Sequence, residues 1–225
     1  MQITAHNISK SYRRGKGIQG SVQVISDIDL SIESGKVYVI YGRSGSGKST
    51  LLNILSGILS PSSGEVCYDG SDIYSINDRE LSLLRCKEVG YIPQLHTAVG
   101  TLTVRENVLL PSAVIGEGKD ISKADKLLEQ LGLQQLCDVR ANVLSGGELR
   151  RLSIARALIN SPSVIFADEP TNDLDEETSH LVFEHLRKAA DSGAAAVIVT
   201  HELFGRDKAD VLLQMRQGKL IREKG

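Results

Sequence analysis

The chain has 225 residues, 41% of them hydrophobic and 24% charged, with a formal net charge of −2. That is enough for one large α/β domain or two small ones around a real core, in a composition ordinary for a soluble globular protein. Near-neutrality gives no long-range pull toward nucleic acid or anionic lipid, and neither a membrane-spanning apolar run nor a secretory leader is expected from the sequence.

In chain order, "QITAHNISKSY" and "VQVISDIDLSI" alternate isoleucine and valine with polar residues, the pattern of half-buried antiparallel strands. "RRGKGIQG", residues 13–20, reads as a glycine-rich loop between them, its basic run simply solvated. "KVYVIY" is a third strand. Leu51, Leu52 and Leu55 then fall at helical spacing within Ser49–Ser56, and Gly57 and Pro61 stop that helix. "EVCYDG" is another β-like piece. From about Leu81 to Ile159 the pattern is mainly helical, most clearly in "KADKLLEQLGL" and "GELRRLSIARALI". Two apolar strands, "SVIFAD" and "AAAVIVT", flank a polar helix from about Glu176 to Ala190. Buried strands alternating with helices predict an α/β fold with a largely parallel sheet covered on both faces. Cys67, Cys86 and Cys137 are odd in number and far apart, which fits neither a disulfide framework nor zinc-site spacing. The cytoplasm is then the default compartment.

The decisive stretch is "VIYGRSGSGKSTLL", residues 39–52. Gly42, Gly47, Lys48 and Ser49 satisfy G-x-x-x-x-G-K-[ST], with Gly45 inside, after a strand and before a helix. Glycines let successive backbone N–H groups turn toward phosphate oxygens, and the helix start adds its free amides and positive dipole end. Lys48 would bridge the β- and γ-phosphates, and the Ser49 hydroxyl would bind Mg²⁺. A chance match in an ordinary strand–turn–helix is the bland alternative, and the context disfavours it.

"VIFADEP" ends an apolar strand in Asp168 and Glu169. Asp168 fits the carboxylate that holds Mg²⁺ through water, and Glu169 can face the attacking water. The plainer reading is an acidic turn, "DEPTNDLDEE", capping the next helix; capping by Asp175 suits both. His201 follows "AAAVIVT" at a strand's C-terminal end, where α/β sheets place ligands, and reads as a γ-phosphate sensor. In "VLSGGELRRLSIARAL", Ser145, Gly146 and Gly147 make a second anion-binding turn before a helix. A single chain has no obvious use for two such turns, whereas a head-to-tail dimer does. A plain serine–glycine N-cap is the alternative.

Together these motifs resemble the nucleotide-binding subunits of ATP-binding-cassette (ABC) transporters over essentially the whole chain. The resemblance implies a P-loop NTPase core with a mainly parallel sheet, an N-terminal antiparallel β subdomain and an inserted α-helical subdomain. Residues 1–94 and 160–225 would be the core and β subdomain of one nucleotide-binding domain, and 95–159 the helical part. It implies a homodimer around two ATP with Mg²⁺, joined to a separately encoded membrane permease at the cytoplasmic face of the membrane, with no nucleic-acid partner. By the same resemblance, Tyr12 would stack on adenine, and Gly42, Arg43, Ser44, Gly45, Ser46, Gly47, Lys48, Ser49 and Thr50 would hold the phosphates. Ser145, Gly146, Gly147 and Glu148 would meet the opposite copy's nucleotide. Ser49, Gln94 and Asp168 would serve the metal, with Glu169, His201, Gln94 and Lys48 as the catalytic set. Two positions depart from the family pattern: Glu148 replaces the usual glutamine, and the D-loop reads Asn172-Asp173-Leu174-Asp175. "RRGKGIQGSVQV" and "PQLHTAVGTLTVRENVLLP" look like the branch of lipoprotein-releasing, macrolide-export and antimicrobial-peptide transporters. A small-molecule phosphotransferase would share the phosphate loop but has no use for Leu144–Glu148. Soluble ABC proteins acting on DNA or ribosomes usually carry paired cassettes, long coiled coils or zinc cysteines. A force-transmitting subunit of the cell-division type remains a third reading.

Overall fold

The computed structural model describes residues 1–13, 20–95, 97–116, 118, 120–172, 174–201 and 205–224. The loop expected at 13–20 therefore lies mostly outside the described residues, as does Asp173. Strand β1 (Gln2–Arg13) pairs antiparallel with β2 (Ser21–Glu33), Ile3 opposite Ile32 and Tyr12 opposite Val22. β3 (Val37–Tyr41) runs through Gly42–Gly47 into helix α1 (Lys48–Leu55). β4 (Ser63–Tyr68) returns to pair with β1, and the two-residue β5 (Ser71–Asp72) completes a four-stranded antiparallel sheet.

Helix α2 (Asp78–Glu88) opens with a capping box between Asn77 and Glu80. β6 (Val89–Ile92) follows it directly. The stretch 81–159 is mainly helical as expected, and this strand is the element within it that the sequence pattern did not show. Four residues are too few to show a period, and Gly90 reads as a breaker. Packing explains the glycine, because a Cβ there would sit 2.7 Å from the Ala157 carbonyl oxygen. Helices α3 (Val104–Val114), α4 (Ile121–Gln130) and α5 (Gly146–Leu158) then precede β7 (Val164–Asp168). Helix α6 (Glu176–Asp191), capped by Asp175 accepting from Thr178 N, leads to β8 (Ala195–Thr200). A hairpin of β9 (Val211–Arg216) and β10 (Lys219–Lys224) closes the order.

The second sheet has six strands in the order β10-β9-β3-β8-β7-β6, parallel apart from the antiparallel edge strand β10. Alternation splits its side chains between two cores. Val39, Ile165 and Ile198 face a core shared with α3 to α6. Ile40, Phe166 and Val197 face the other, shared with α1 and the antiparallel sheet. Burial on both faces is why these strands read as unbroken apolar runs. Because β3, β6, β7 and β8 are parallel, their C-terminal ends share one edge, where ligands of such sheets bind.

Candidate functional site

Each of those ends delivers a side chain foreseen from the sequence. β3 leads into the glycine loop, β6 into Gln94, β7 into Glu169, and β8 into His201. Val24, Ser44, Gly45, Gly47, Lys48, Ser49, Thr50, Gln94, Glu169 and His201 line one cavity of about 530 Å³. Gly42, Arg43 and Ser46 line an adjoining cavity with Tyr41, His201, Arg206 and Arg216.

The loop's glycines answer to real constraints. A Cβ on Gly42 would lie 2.3 Å from the Met215 carbonyl oxygen, and Gly47 has φ +104 with Val24 O 2.9 Å from where its Cβ would be. Lys48 is buried, its ammonium donating to the carbonyls of Gly42 (2.9 Å) and Arg43 (3.3 Å) and lying 3.7 Å from Glu169 Oε1. Ser46 Oγ is buried without a hydrogen-bond partner among the described residues. An orphaned hydroxyl in a glycine-rich loop is what an incoming phosphate oxygen would satisfy.

Ser49 Oγ donates to Asp168 Oδ1 at 3.0 Å, so a hydroxyl and a carboxylate oxygen stand side by side at the start of α1. Burial pushes the Asp168 carboxyl up, while the Ser49 hydrogen bond and the Lys48 charge pull it back. Hard oxygen donors at the mouth of a phosphate loop suit Mg²⁺, which keeps water and phosphate oxygens as its other ligands. Gln94, facing the same cavity, offers one more oxygen.

Glu169 is 5% exposed and holds φ +48, a left-handed conformation that costs a β-carbon-bearing residue of order 1–3 kcal/mol. Its N–H donates to the Val199 carbonyl at 2.9 Å. Its Oε2 accepts from the His201 N–H at 3.1 Å and lies 2.9 Å from His201 Nδ1. One carboxylate oxygen thus faces lysine and the other histidine, which fixes the group's orientation. The acidic-turn alternative holds only for Asp175, the true helix cap.

Tyr12 and the turn at 145–148 do not join this group. Tyr12 stands 43% exposed on β1 with Lys10 Nζ 5.5 Å from its ring centroid. Ser145 caps α5 in a capping box. Glu148 Oε2 accepts from Ser145 N and Oγ, each at 2.7 Å, and those bonds hold its carboxyl below the usual range. None of residues 145–148 is among the described residues lining either cavity.

Sequence reasoning passed over the arginines of α5. Arg150 donates to the Pro93 and Gln94 carbonyls at 2.6 and 2.8 Å, and Arg156 to the Thr97 carbonyl at 2.8 Å. A signal existed: position 150 shares a helix face with Ile154 and Ala157, both buried. An arginine in an inward-facing stripe needs buried acceptors.

A family profile described as "ABC transporter" matches residues 25–172. The lipoprotein-releasing system ATP-binding protein LolD of Shewanella oneidensis is 40% identical over 223 residues, 98% of this chain and 95% of that protein. The ABC transporter ATP-binding protein YtrE of Bacillus subtilis is 41% identical over 89% of this chain and 88% of its own length. The macrolide export ATP-binding/permease protein MacB of Neisseria gonorrhoeae is 38% identical over 97% of this chain, which spans 34% of MacB. Among solved structures, the dimeric post-hydrolysis state of the ATP-binding cassette MJ0796 bound to ADP and Pi superposes with a TM-score of 0.92. It is 31% identical, with 99% of this chain and 98% of that one covered.

Proposed function

The chain belongs to the ABC transporter family, and from that premise we propose that two copies close around two ATP molecules and use their hydrolysis to drive a membrane permease. Lys48 and the amides of Gly42–Thr50 would hold the triphosphate. Ser49 and Asp168, with Gln94, would hold Mg²⁺, which would supply positive charge against the triphosphate. Glu169 would take a proton from the water that attacks the γ-phosphorus, as the bond to the β–γ bridging oxygen breaks and ADP leaves. His201 orients that carboxylate through the contacts at Oε2.

The observation that carries the dimer is the turn at 145–148. Within a helix the first-turn amides have no intrahelical partner; here Ser145 takes that of Glu148, leaving those of Gly146 and Gly147 unmatched among the described residues. Gly147 also has room to spare, since an added Cβ would meet its nearest neighbours at 3.8 and 3.9 Å. Nothing among the described residues requires glycine there, whereas a phosphate brought by another copy would. The dimeric form of the MJ0796 cassette supports the same reading.

LolD is named an ATP-binding protein of a larger system, and MacB's name joins ATP-binding and permease parts. A separately encoded permease is the matching partner here, and it would hold the chain at the cytoplasmic face of the membrane. No helix among the described residues is long and apolar enough to cross one. The cargo would be a lipid-linked, drug-like or peptide substrate that is exported, or acted on by transmitted force, through the permease. Glu169→Gln tests the hydrolytic core. It should allow ATP-dependent dimers by light scattering while phosphate release falls by about 10²–10⁴-fold. Undiminished turnover would remove Glu169 from this role.

A further inference from the structure

Arg150 is 2% exposed, and its guanidinium keeps its charge at any physiological pH. A buried charge needs close acceptors, and this one has two in succession, the carbonyls of Pro93 and Gln94. The planar fork reaches both with separate nitrogens, Nη1 and Nη2, a geometry that lysine lacks. Arg156 takes the Thr97 carbonyl and hydroxyl in the same way. The segment leaving β6 is therefore pinned at residues 93, 94 and 97 to α5, not merely packed against it.

The pinned residue is one that faces the chemistry. Gln94 lines the cavity shared by Lys48, Ser49 and Glu169. Arg150 stands five residues after Ser145, about 7.5 Å along the helix axis from the turn that opens α5. A helix that short moves as a rod, so a displacement of the turn carries the guanidinium and the Gln94 carbonyl with it.

We propose that Arg150 is a positioning residue for Gln94, fixing that backbone to the first turns of α5 so that the glutamine is presented to the nucleotide cavity only when α5 is seated. The inference rests on the hydrolytic reading above and adds a mechanical link between the 145–148 turn and Gln94. The test is a double-mutant cycle on the full chain, with Gln94→Ala, Arg150→Met and the pair. Each single variant should lower kcat by roughly 10- to 100-fold, as expected when a reacting group is misplaced by about 1 Å. Binding of a fluorescent ATP analogue should change little. The pair should be no slower than the slower single variant, because both remove the same interaction. A scaffold role alone would instead give additive losses. If Arg150→Met does not fold, Arg150→Lys, which keeps the charge but not the fork, takes its place in the cycle. Additive losses, an Arg150 variant with unimpaired kcat, or a Gln94→Ala chain at the full rate would each overturn the proposal. Absence of hydrolysis by the unmutated chain, with or without its permease, would overturn the hydrolytic reading and this inference with it.

Discussion

Gly147 shows how a single residue can report on something outside its own chain. It occupies the first turn of α5, where glycine costs up to about 1 kcal/mol relative to alanine, and none of the described residues crowds the space a methyl would fill. Gly42 and Gly47 are different, since backbone oxygens at 2.3 and 2.9 Å leave them no alternative. Gly147→Ala should therefore keep or raise the melting temperature, by no more than about 4 °C for a chain of this size. In a Glu169→Gln background it should weaken ATP-driven dimerisation, read by light scattering across an ATP titration. A dimer of undiminished stability would mean that the position does not meet the second nucleotide. Glu148 belongs to the same argument. Its carboxylate is occupied with Ser145, so the departure from glutamine leaves the helix cap intact and changes only the charge offered outward.

At the scale of elements, α6 is tied to the end of α4 by His185. The ring is 8% exposed; burial lowers its pKa below the ordinary 6.5, and a hydrogen bond to the Gln130 backbone opposes the shift only in part. The unfolded chain then binds a proton at a higher pH than the folded one. Stability from this group is complete above about 6.5 and is lost as the pH falls from there toward the folded value. One proton limits the slope to about 1.4 kcal/mol per pH unit. Thermal unfolding between pH 7.5 and 5.5 should show a steeper decline for the unmutated chain than for His185→Gln, which can still donate to the Gln130 carbonyl. Parallel declines would place the acid sensitivity elsewhere. Such pairings are invisible in sequence, whereas β3, β7 and β8 were legible because burial on both faces leaves an apolar run. The hairpin of β9 and β10 is missing from the sequence-derived scheme although its signal is present. Val211, Leu213 and Met215 alternate with Leu212 and Gln214, and Gln217-Gly218 turns with both φ positive. The site followed the same rule. Residues whose chemistry is carried by a local motif, from Gly42 to Ser49 and at Asp168, Glu169 and His201, could be read. Arg150 could not, because the Pro93 and Gln94 acceptors are carbonyls, which any residue supplies.

For the molecule as a whole, the parallel sheet gathers loop, carboxylates, glutamine and histidine at one edge, while the 145–148 turn stays off that cavity. If the turn completes the site of a second copy, each site is built half from either chain, and defects in different halves should complement. Lys48→Ala removes the ammonium beside Glu169 but leaves the turn whole. Gly147→Asp places a negative side chain on the turn but leaves the phosphate loop whole. Each alone should be inactive, because every site in its homodimer carries the same lesion. In a heterodimer one site inherits both lesions and the other neither. Random pairing of equal amounts makes half the dimers mixed, with one good site in two, so the mixture should recover about a quarter of the unmutated rate. Phosphate release from the two variants, measured separately and together in the presence of the permease, decides it. If each copy completed its own site, mixing would restore nothing, since no chain in the mixture would hold an intact loop and an intact turn together.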